Sequence, residues 1–577
     1  MMPASYAVWA PDAEAVDLCL DGECIPLLRR ADGWWSGGPP PRPGDRYGFS
    51  LDGGPPRADP RSGSQPDGPE GFSAVLDHGA FSWHDGDWRG FELPGSVLYE
   101  LHVGTFSPEG TFDGVIERLD HLVALGVDAI EVMPIAEFPG RLGWGYDGVN
   151  LYAAHHGYGG PDGFKRLVDA CHRAGLGVIL DVVYNHLGPA GNYLPEFGPY
   201  FTDRYSTGWG AAVNFDGPES DEVRRWVIDN AALWLRDYHV DGLRLDAVHA
   251  IYDVSARPFL EQLADEVAQL SVRLDRPLTV IAESDRNDPR FALPVCSGGM
   301  GLDAVWSDDW HHAVHVALTG ERTGYYADFG DAALLRAALS QGWAYDGRYS
   351  AFRRRTHGRS PGELTDHQFV VTLQNHDQVG NRALGERITA LVPAARARIG
   401  AALLLTTPFT PMLFQGEEWG AATPFQYFTD HTDPELGAAI RTGRRAEFAG
   451  WGTDPEEVPD PQDPRTFTRS RLDWNELSAP AHSAMLRWYT QLIALRRSHP
   501  DLGSGKAAAA VGFDEVNGVL RVERGACLLL ANLGRREVAV LEPTGCEILL
   551  AWNPTPRRDG RTLSLPPDAV VILGRRP

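Results

Sequence analysis

The stretch "GLRLDAVHAI", residues 242–251, has the apolar character of a buried β-strand, but it carries Arg244, Asp246 and, just beyond, His249. Burying an unpaired carboxylate costs several kcal/mol, so Asp246 needs a partner. Side chains alternate along a strand, which places Arg244 and Asp246 on one side and the intervening leucines on the other. Arg244 is therefore well placed to keep Asp246 ionised. On its own, the pair fits a structural ion pair as well as a functional carboxylate.

The sequence around this stretch alternates between apolar, strand-like runs and amphipathic, helix-like runs over about four hundred residues. Eight strands that alternate with helices predict an α/β protein built on a parallel (β/α)8 TIM barrel. A doubly wound sheet is the structural alternative. The eight strand candidates are "SVLYELHVGTF", "AIEVMPI", "GVILDVVYNH", "DGLRLDAV", "LTVIAES", "LDAVWSDDW", "HQFVVTLQNHD" and "TPMLFQGEEWG".

Both ends of the chain have a different pattern, in which short strand candidates are separated by turn residues. We therefore expect a β-sandwich module and a linker over residues 1–92, the barrel over 93–500, and a second β-sandwich over 501–577. A chain of 577 residues is too long for one hydrophobic core, which agrees with several domains. A long stretch rich in glycine and aromatic residues, about 187–218, interrupts the alternation after the third strand and is predicted to be a loop insertion.

The composition limits the classes of partner. A formal net charge of -26 argues against nucleic acid as a partner, because such proteins present basic surfaces to phosphates. No apolar run approaches the roughly 18 residues of a membrane span, and the N-terminus lacks the features of a signal peptide. The sequence therefore predicts a cytoplasmic protein with no membrane partner.

The cysteines and histidines give little sign of a metal or cofactor, and we expect none. No HExxH motif or similar close pair is present, although Asn185 or a nearby carbonyl could hold a structural calcium. The cysteines are scattered without a CxxC motif, so free buried thiols are favoured over disulfides or zinc ligands. The six are Cys19, Cys24, Cys171, Cys296, Cys527 and Cys546.

Polar side chains stand at the C-terminal ends of five predicted strands. In a (β/α)8 barrel these ends meet on one face, which is the face that holds active sites. Taken singly, each side chain has a structural explanation, and for Asp181 that explanation is the better one. Together they predict one functional site. They are Asp181, Asn185 and His186; Arg244, Asp246 and His249; Glu283; Asp308 and Asp309; and His376 and Asp377.

Aromatic residues in the neighbouring loops fit two roles about equally well. Trp144, Tyr146, Trp209 and Trp310 could be platforms for sugar rings or anchors for loop packing. His155 and His156, in "LYAAHHGYGG", fit loop packing better than ligation.

Four blocks carry a resemblance to a known family: "DVVYNH" (181–186), "GLRLDAVH" (242–249), "AES" (282–284) and "NHDQ" (375–378). In order, spacing and strand-end placement they resemble the signature regions of the α-amylase superfamily of glycoside hydrolases. The resemblance implies that Asp246 is the nucleophile, Glu283 the general acid/base, and Asp377 a third carboxylate that binds sugar hydroxyls. It also implies that His186, Arg244 and His376 line the subsite of the distorted sugar.

These residue types suit a retaining glycosidase, which needs two carboxyl groups about 5 Å apart, one nucleophilic and one protonated. A desolvated Glu283 beside anionic neighbours would have a raised pKa and could donate a proton to the leaving oxygen.

Longer blocks, among them "AESDRNDPRF" and "WSDDWHHAVHVALTGERTGYY", resemble the maltooligosyltrehalose trehalohydrolases within this superfamily. The resemblance implies hydrolysis of the α-1,4 glucosidic bond next to the terminal trehalose of maltooligosyltrehalose or a related α-glucan. It also implies a trehalose-forming synthase as a pathway neighbour. Residues expected to contact sugar on this basis are His249, Asp308, Asp309, Trp310, His311, His312, Gln378 and Arg382.

Two other interpretations stay open. A glycogen branching enzyme or a debranching hydrolase shares the carboxylate triad and the N-terminal sandwich; "WSDDWHH" is the feature that argues against a branching enzyme. A non-catalytic glycan-binding protein of the same fold would be expected to lack one catalytic carboxylate, but all three are present.

Overall fold

The protein is built around a closed barrel of eight parallel strands, as seen in a computed structural model that describes residues 5–449, 454–503, 508–552 and 556–575. The barrel confirms the predicted (β/α)8 fold and excludes an open doubly wound sheet, because the last strand pairs with the first. The strands are β1 (Leu98–Leu101), β2 (Ala129–Val132), β3 (Gly177–Val182), β4 (Gly242–Leu245), β5 (Thr279–Ala282), β6 (Ala304–Trp306), β7 (Phe369–Thr372) and β8 (Thr410–Phe414).

All residues of these strands are buried, which explains why they are nearly continuous apolar runs. The register places Asp181 of β3 beside Arg244 of β4, and Arg244 beside Ile281 of β5. The C-terminal ends of all eight strands therefore form one rim, on which the polar residues after each strand can meet.

Helices surround the barrel; most are amphipathic and bury one face, whereas Ala394–Thr406 is buried on all sides over residues 397–406. Helix Ser220–Asp237, for example, buries Trp226 and Trp234 and exposes its acidic first turn. The helices of seven or more residues are Leu119–Leu125, Gly160–Arg173, Ser220–Asp237, Phe259–Leu274, Asp308–Thr319, Ala332–Gln341, Ala394–Thr406, Pro434–Ala449, Pro464–Ser470 and Pro480–Ser498. Shorter ones are Val103–Phe106, Phe112–Ile116, Leu194–Phe197, His376–Gly380, Ile388–Leu391 and Pro500–Gly503.

Antiparallel sheets lie at both ends of the chain, as the turn-rich pattern predicts. The N-terminal strands are Tyr6–Trp9, Trp34–Gly37 and Leu28–Arg29 in one sheet, and Glu23–Pro26, Val16–Leu20, Arg46–Leu51 and Ser73–Ala74 in another. The C-terminal strands are Ala510–Asp514, Val519–Arg524, Cys527–Asn532, Val570–Gly574 and Glu547–Ala551, with Val538–Leu541, Thr562–Leu565 and Arg557–Asp559 in a second sheet. The domain limits at residues 92 and 501 stay predictions.

The N-terminal sheets correct one expectation. Cys19 and Cys24 form a disulfide, so the prediction that all six cysteines are free thiols is wrong. The two residues lie directly opposite each other on adjacent antiparallel strands, joined by a two-residue turn at Asp21–Gly22, where both residues have a positive φ. The other four cysteines are free.

Three antiparallel strand pairs extend from loops between the barrel strands. The pair Ala136–Glu137 and Asn150–Ala154 lies between β2 and β3, and the pair Asp346–Ser350 and Arg355–Gly358 lies between β6 and β7. The predicted insertion at 187–218 contains helix Leu194–Phe197 and the hairpin Phe201–Thr207 and Gly210–Val213. Among the described residues, no helix is both long enough and apolar enough to cross a lipid bilayer.

A buried arginine joins the C-terminal sheets to the barrel. Arg524 is 1% exposed, and its Nη1 donates to the carbonyls of Thr406 (2.9 Å), Thr407 (2.8 Å) and Leu502 (3.2 Å). Thr406 and Thr407 end the helix that precedes β8, so this one side chain connects three segments.

We expect Arg524→Leu to lower the melting temperature by at least about 2 °C, because it removes a buried donor from the carbonyls of Thr406 and Leu502; the Thr407 carbonyl still accepts from Arg496 at 2.7 Å. The matched control is Arg521→Leu on the same strand, where a surface ion pair to Glu523 is lost and a shift within about 1 °C is expected. Differential scanning calorimetry measures both. Equal shifts for the two variants would show that the buried contacts do not hold the C-terminal sheets.

Candidate active site

A cleft of about 1050 Å³ opens at the C-terminal rim of the barrel, and Asp246, Glu283 and Asp377 all line it. The three carboxylates come from the ends of β4, β5 and β7, so residues more than a hundred positions apart share one cavity. Other residues that the sequence singled out also line the cleft: Tyr146, Trp144, His186, Trp209, His249 and His376.

Arg244 lies beneath the carboxylates and connects them. Its side chain is fully buried, and its Nη1 donates to Asp246 Oδ1 at 2.9 Å and to both oxygens of Asp181 at 2.8 and 2.9 Å. Its Nη2 lies 3.6 Å from Glu283 Oε2. The charge of Asp246 is therefore matched by a buried guanidinium, which answers how a carboxylate can stand at the end of an apolar strand.

Asp246 is also fixed by an amide and by the backbone that follows it. Asn185 Nδ2 donates to Asp246 Oδ2 at 2.7 Å and to the Asp246 carbonyl at 2.9 Å. Ala247 adopts the left-handed conformation (φ 40°, ψ 51°), which is strained for alanine. In that conformation its N–H donates to Glu283 Oε2 at 2.6 Å. The turn thus orients two carboxyl groups at once.

Glu283 is a cleft carboxyl group whose ionisation is strongly opposed. Burial raises its pKa well above the ordinary value, and the nearby charges of Asp246, Asp308 and Asp377 raise it further, against the lowering effect of Arg244. A carboxyl group with a raised pKa holds its proton at neutral pH and can act as a proton donor.

His376 is held by a carboxylate that the sequence analysis did not identify. Glu100 of β1 accepts from the His376 backbone N–H at 2.8 Å, and its Oε1 lies 2.5 Å from His376 Nδ1. Although burial lowers the pKa of His376, the charges of Glu100 and Asp377 raise it to about 9. His376 Nε2 lies 3.7 Å from Asp377 Oδ1, which also accepts from Asn381 Nδ2 at 3.0 Å.

Asp181 lies below the cleft rather than in its lining. It accepts hydrogen bonds from Arg244 and from the Tyr146 hydroxyl, and burial raises its pKa to about 6. The Tyr146 ring stacks on the His376 ring with centroids 5.0 Å apart. These contacts fit the structural interpretation of Asp181, which orients the Tyr146 side chain that lines the cleft and pairs with Arg244 beneath it.

His186 and Trp209 form a stacked pair at the entrance. Their ring centroids are 4.1 Å apart with planes inclined by 6°, and Trp209 is 55% exposed at the end of the insertion hairpin. His186 Nε2 lies 2.8 Å from the Tyr146 carbonyl and Nδ1 lies beside Asn185 Oδ1; both oxygens are acceptors, so a neutral ring donates to only one of them. A structural calcium at Asn185 stays a prediction.

Four further residues that the sequence predicts to contact sugar lie beside the cleft, namely Asp308, Gln378, Arg382 and His312. Asp308 accepts from Gln378 Nε2 at 3.2 Å, and burial together with Asp285 and Asp377 raises its pKa to about 7. Arg382 is paired with Glu321 at 2.9 Å. His312 is 8% exposed, with its ring stacked on Tyr325 at 4.7 Å.

Three predicted sugar contacts do not reach the cleft. Asp309 is buried and accepts from Asn287 Nδ2 and from the backbone N–H groups of residues 344 and 345. Trp310 is fully buried in the core, and His311 bonds the Leu373 carbonyl and the Tyr326 hydroxyl. All three lie in the first turn of helix Asp308–Thr319, where successive side chains point in different directions, so the block Asp308–His312 does not face the cleft as one surface. Sugar contacts by these three residues stay predictions.

Comparisons with known proteins agree with this geometry. A family model described as the alpha amylase catalytic domain matches residues 75–201, and one described as a domain of unknown function, DUF3459, matches residues 504–572. The chain is 38% identical to a putative alpha amylase from Salmonella typhimurium whose crystal structure superimposes with a TM-score of 0.91, covering 100% of this chain and 99% of that one.

Two relatives named malto-oligosyltrehalose trehalohydrolase match over nearly the full length. The one from Rhizobium sp. (strain M-11) is 50% identical over 98% of this chain and 97% of its own. The one from Arthrobacter ramosus is 52% identical over 96% of each. The chain therefore belongs to the malto-oligosyltrehalose trehalohydrolase family, within the α-amylase superfamily of glycoside hydrolases.

Proposed function

We propose that this protein hydrolyses the α-1,4 glucosidic bond next to the terminal trehalose of maltooligosyltrehalose, with retention of configuration, and releases trehalose and a maltooligosaccharide. The observation that carries the chemistry is the cleft shared by Asp246, Glu283 and Asp377, with Arg244 buried beneath it. The choice of substrate is supported by the names of the relatives.

Asp246 is the proposed nucleophile. Its bonds to Arg244 and Asn185 pair the carboxylate with a buried guanidinium and hold it in one orientation. The left-handed turn at Ala247 supports that orientation from the backbone side. In the first step an oxygen of Asp246 attacks the anomeric carbon and forms a covalent glycosyl–enzyme ester.

Glu283 is the proposed general acid and base. In the first step it donates its proton to the glycosidic oxygen, so trehalose leaves as a neutral alcohol. In the second step the same carboxylate, now ionised, takes a proton from a water molecule that attacks the anomeric carbon and breaks the ester to Asp246. Two inversions give net retention, and Glu283 ends the cycle protonated.

Asp377 and His376 are proposed to bind hydroxyl groups of the sugar being cleaved. Asp377 lines the cleft and is held by Asn381, and the pKa of His376, raised to about 9, makes its ring a cationic donor at neutral pH. Such bonds accelerate the reaction where they strengthen as the sugar distorts towards the oxocarbenium-like transition state.

The exposed ring of Trp209 and the ring of Tyr146 are proposed to contact sugar faces, since flat apolar rings suit the C–H faces of pyranoses. His249, Asp308, Gln378 and Arg382 are proposed to position the sugars near the cleavage point. In a cytoplasmic setting, a synthase that forms the trehalose end of an α-glucan would have to supply the substrate.

Product analysis tests the proposed reaction. The purified protein is incubated with maltooligosyltrehalose and, separately, with amylose, and products are identified by anion-exchange chromatography and by NMR. Release of trehalose, with a maltooligosaccharide of α configuration at early times, is the expected result. New α-1,6 linkages in amylose would instead identify a branching enzyme, and no turnover of either glucan would favour a protein that only binds glycans.

The carboxylate roles predict that Asp246→Asn and Glu283→Gln each lower kcat by at least about 10³-fold. Both variants should fold, because Arg244 keeps Asp181 as a partner and the amide oxygen introduced by Glu283→Gln would still accept from the Ala247 N–H. The matched control is Asp265→Asn on the outer helix Phe259–Leu274, whose activity should stay within about twofold of the wild type. Near-normal turnover by either cleft variant would contradict its assigned role.

The proton held by Glu283 predicts the pH dependence. Because the pKa of Glu283 is raised, kcat/KM should stay high through neutral pH and fall on the alkaline side as Glu283 loses its proton. Asp308→Asn removes a negative charge that raises this pKa, so the alkaline limb should move to lower pH. The profile of kcat/KM against pH measures this shift, and Asp265→Asn should leave the limb in place. If Asp308→Asn leaves the alkaline limb in place, then the limb does not arise from the ionisation of Glu283.

A further inference from the structure

One cluster of ligand-type side chains lies outside the reaction cleft. Glu137, His155 and His156 each offer a ligand atom, and the three atoms lie within 4.8 Å of one another. In the described part of the chain this is the only group of three histidine, cysteine or acidic side chains with that spacing. We propose that these three residues bind a divalent transition-metal ion of the zinc type.

The contacts are centred on one carboxylate oxygen. Glu137 Oε1 lies 3.0 Å from His155 Nδ1 and 2.7 Å from His156 Nδ1, while Oε2 accepts from the His156 backbone N–H at 2.8 Å. In a tetrahedral zinc site, ligand atoms about 2.1 Å from the metal are about 3.4 Å apart. Small shifts of the three ligand atoms, with Oε2 still bonded to the backbone, would admit the ion.

The donor set selects the class of metal. Two imidazole nitrogens and one carboxylate oxygen suit zinc and its neighbours, whereas calcium and magnesium prefer oxygen ligands alone. Glu137 and His155 are fully buried, but His156 is partly exposed and lines a surface cleft of about 250 Å³. The ion and a water molecule as fourth ligand can enter from that side.

The surroundings hold the ligands in place. The His155 ring stacks on Phe138 with centroids 3.8 Å apart, and the Tyr158 ring meets its edge at 4.8 Å. Glu137 ends one strand of an antiparallel pair, and His155 follows directly after the other. Rigid ligands lower the entropy cost of binding.

The position of the cluster indicates a structural role for the metal. Residues 138–149, between the two strands, include Trp144 and Tyr146, which line the reaction cleft. A metal bound to Glu137 and His155 would join one end of this loop to the segment that follows strand Asn150–Ala154, and so would clamp the strand pair that carries the loop. We therefore expect the ion to stabilise the loop without taking part in hydrolysis, so the inference does not depend on which glycosidic bond is cleaved.

The test uses the full-length protein after dialysis against EDTA. Titration with ZnCl₂ in a calorimeter should give one site per chain, and saturating zinc should raise the melting temperature by at least about 1 °C. His156→Gln is the first variant, because the partly exposed side chain can be replaced without opening the core. It should weaken zinc binding at least about tenfold and remove the thermal shift. Glu137→Gln should do the same.

The matched control is His84→Gln. His84 also bonds a single carboxylate, that of Asp169 at 3.3 Å, but it is 66% exposed and has no second imidazole beside it. Zinc binding by this variant should equal that of the wild type. Failure of the wild type to bind zinc at millimolar concentration would overturn the proposal. Zinc binding that survives His156→Gln would also overturn it, and would place the ion elsewhere, such as among the cleft histidines.

Discussion

One buried guanidinium sets the charge balance of the whole site. Arg244 contacts Asp181 at 2.8 Å and Asp246 at 2.9 Å, but Glu283 only at 3.6 Å. One positive charge cannot neutralise three carboxylates in a desolvated space, so the group with the longest contact is the one left holding a proton. Asp246, which has the shorter contact with Arg244, is therefore suited to attack. Glu283, which has the longer contact, is suited to proton donation.

The barrel makes this arrangement possible because parallel strands end on a common rim. Arg244 lies one strand from Asp181 and one strand from Glu283, at positions set by the register of β3, β4 and β5. The same principle brings Glu100 of β1 to His376 after β7. Asp246 and His376 are thus each supported by a partner from another strand, whereas Asp377 is held by Asn381, four residues later in the chain.

Sequence patterns predicted the elements whose signals are local. Eight apolar runs identified the strands, and the four motif blocks brought Asp246, Glu283 and Asp377 to one cleft. Contacts between distant segments left weaker signals, and Glu100 was visible only as a lone acid in an apolar strand. The pairing of Cys19 with Cys24 was missed although the Asp21–Gly22 turn between them is a local hairpin signal. Trp310 and His311 are adjacent to Asp308 in sequence but buried away from the cleft, because adjacency in a helix does not mean a shared face.

The closure of the barrel has a consequence for biosynthesis. β1 has no partner on one edge until β8, about three hundred residues later, has left the ribosome. Until then the nascent chain exposes an apolar strand edge that invites pairing with other polypeptides. Such long-range pairing is slow to form, because a large loop must close first. The exposed strand edge would thus make the incomplete chain dependent on chaperones and sensitive to high rates of expression.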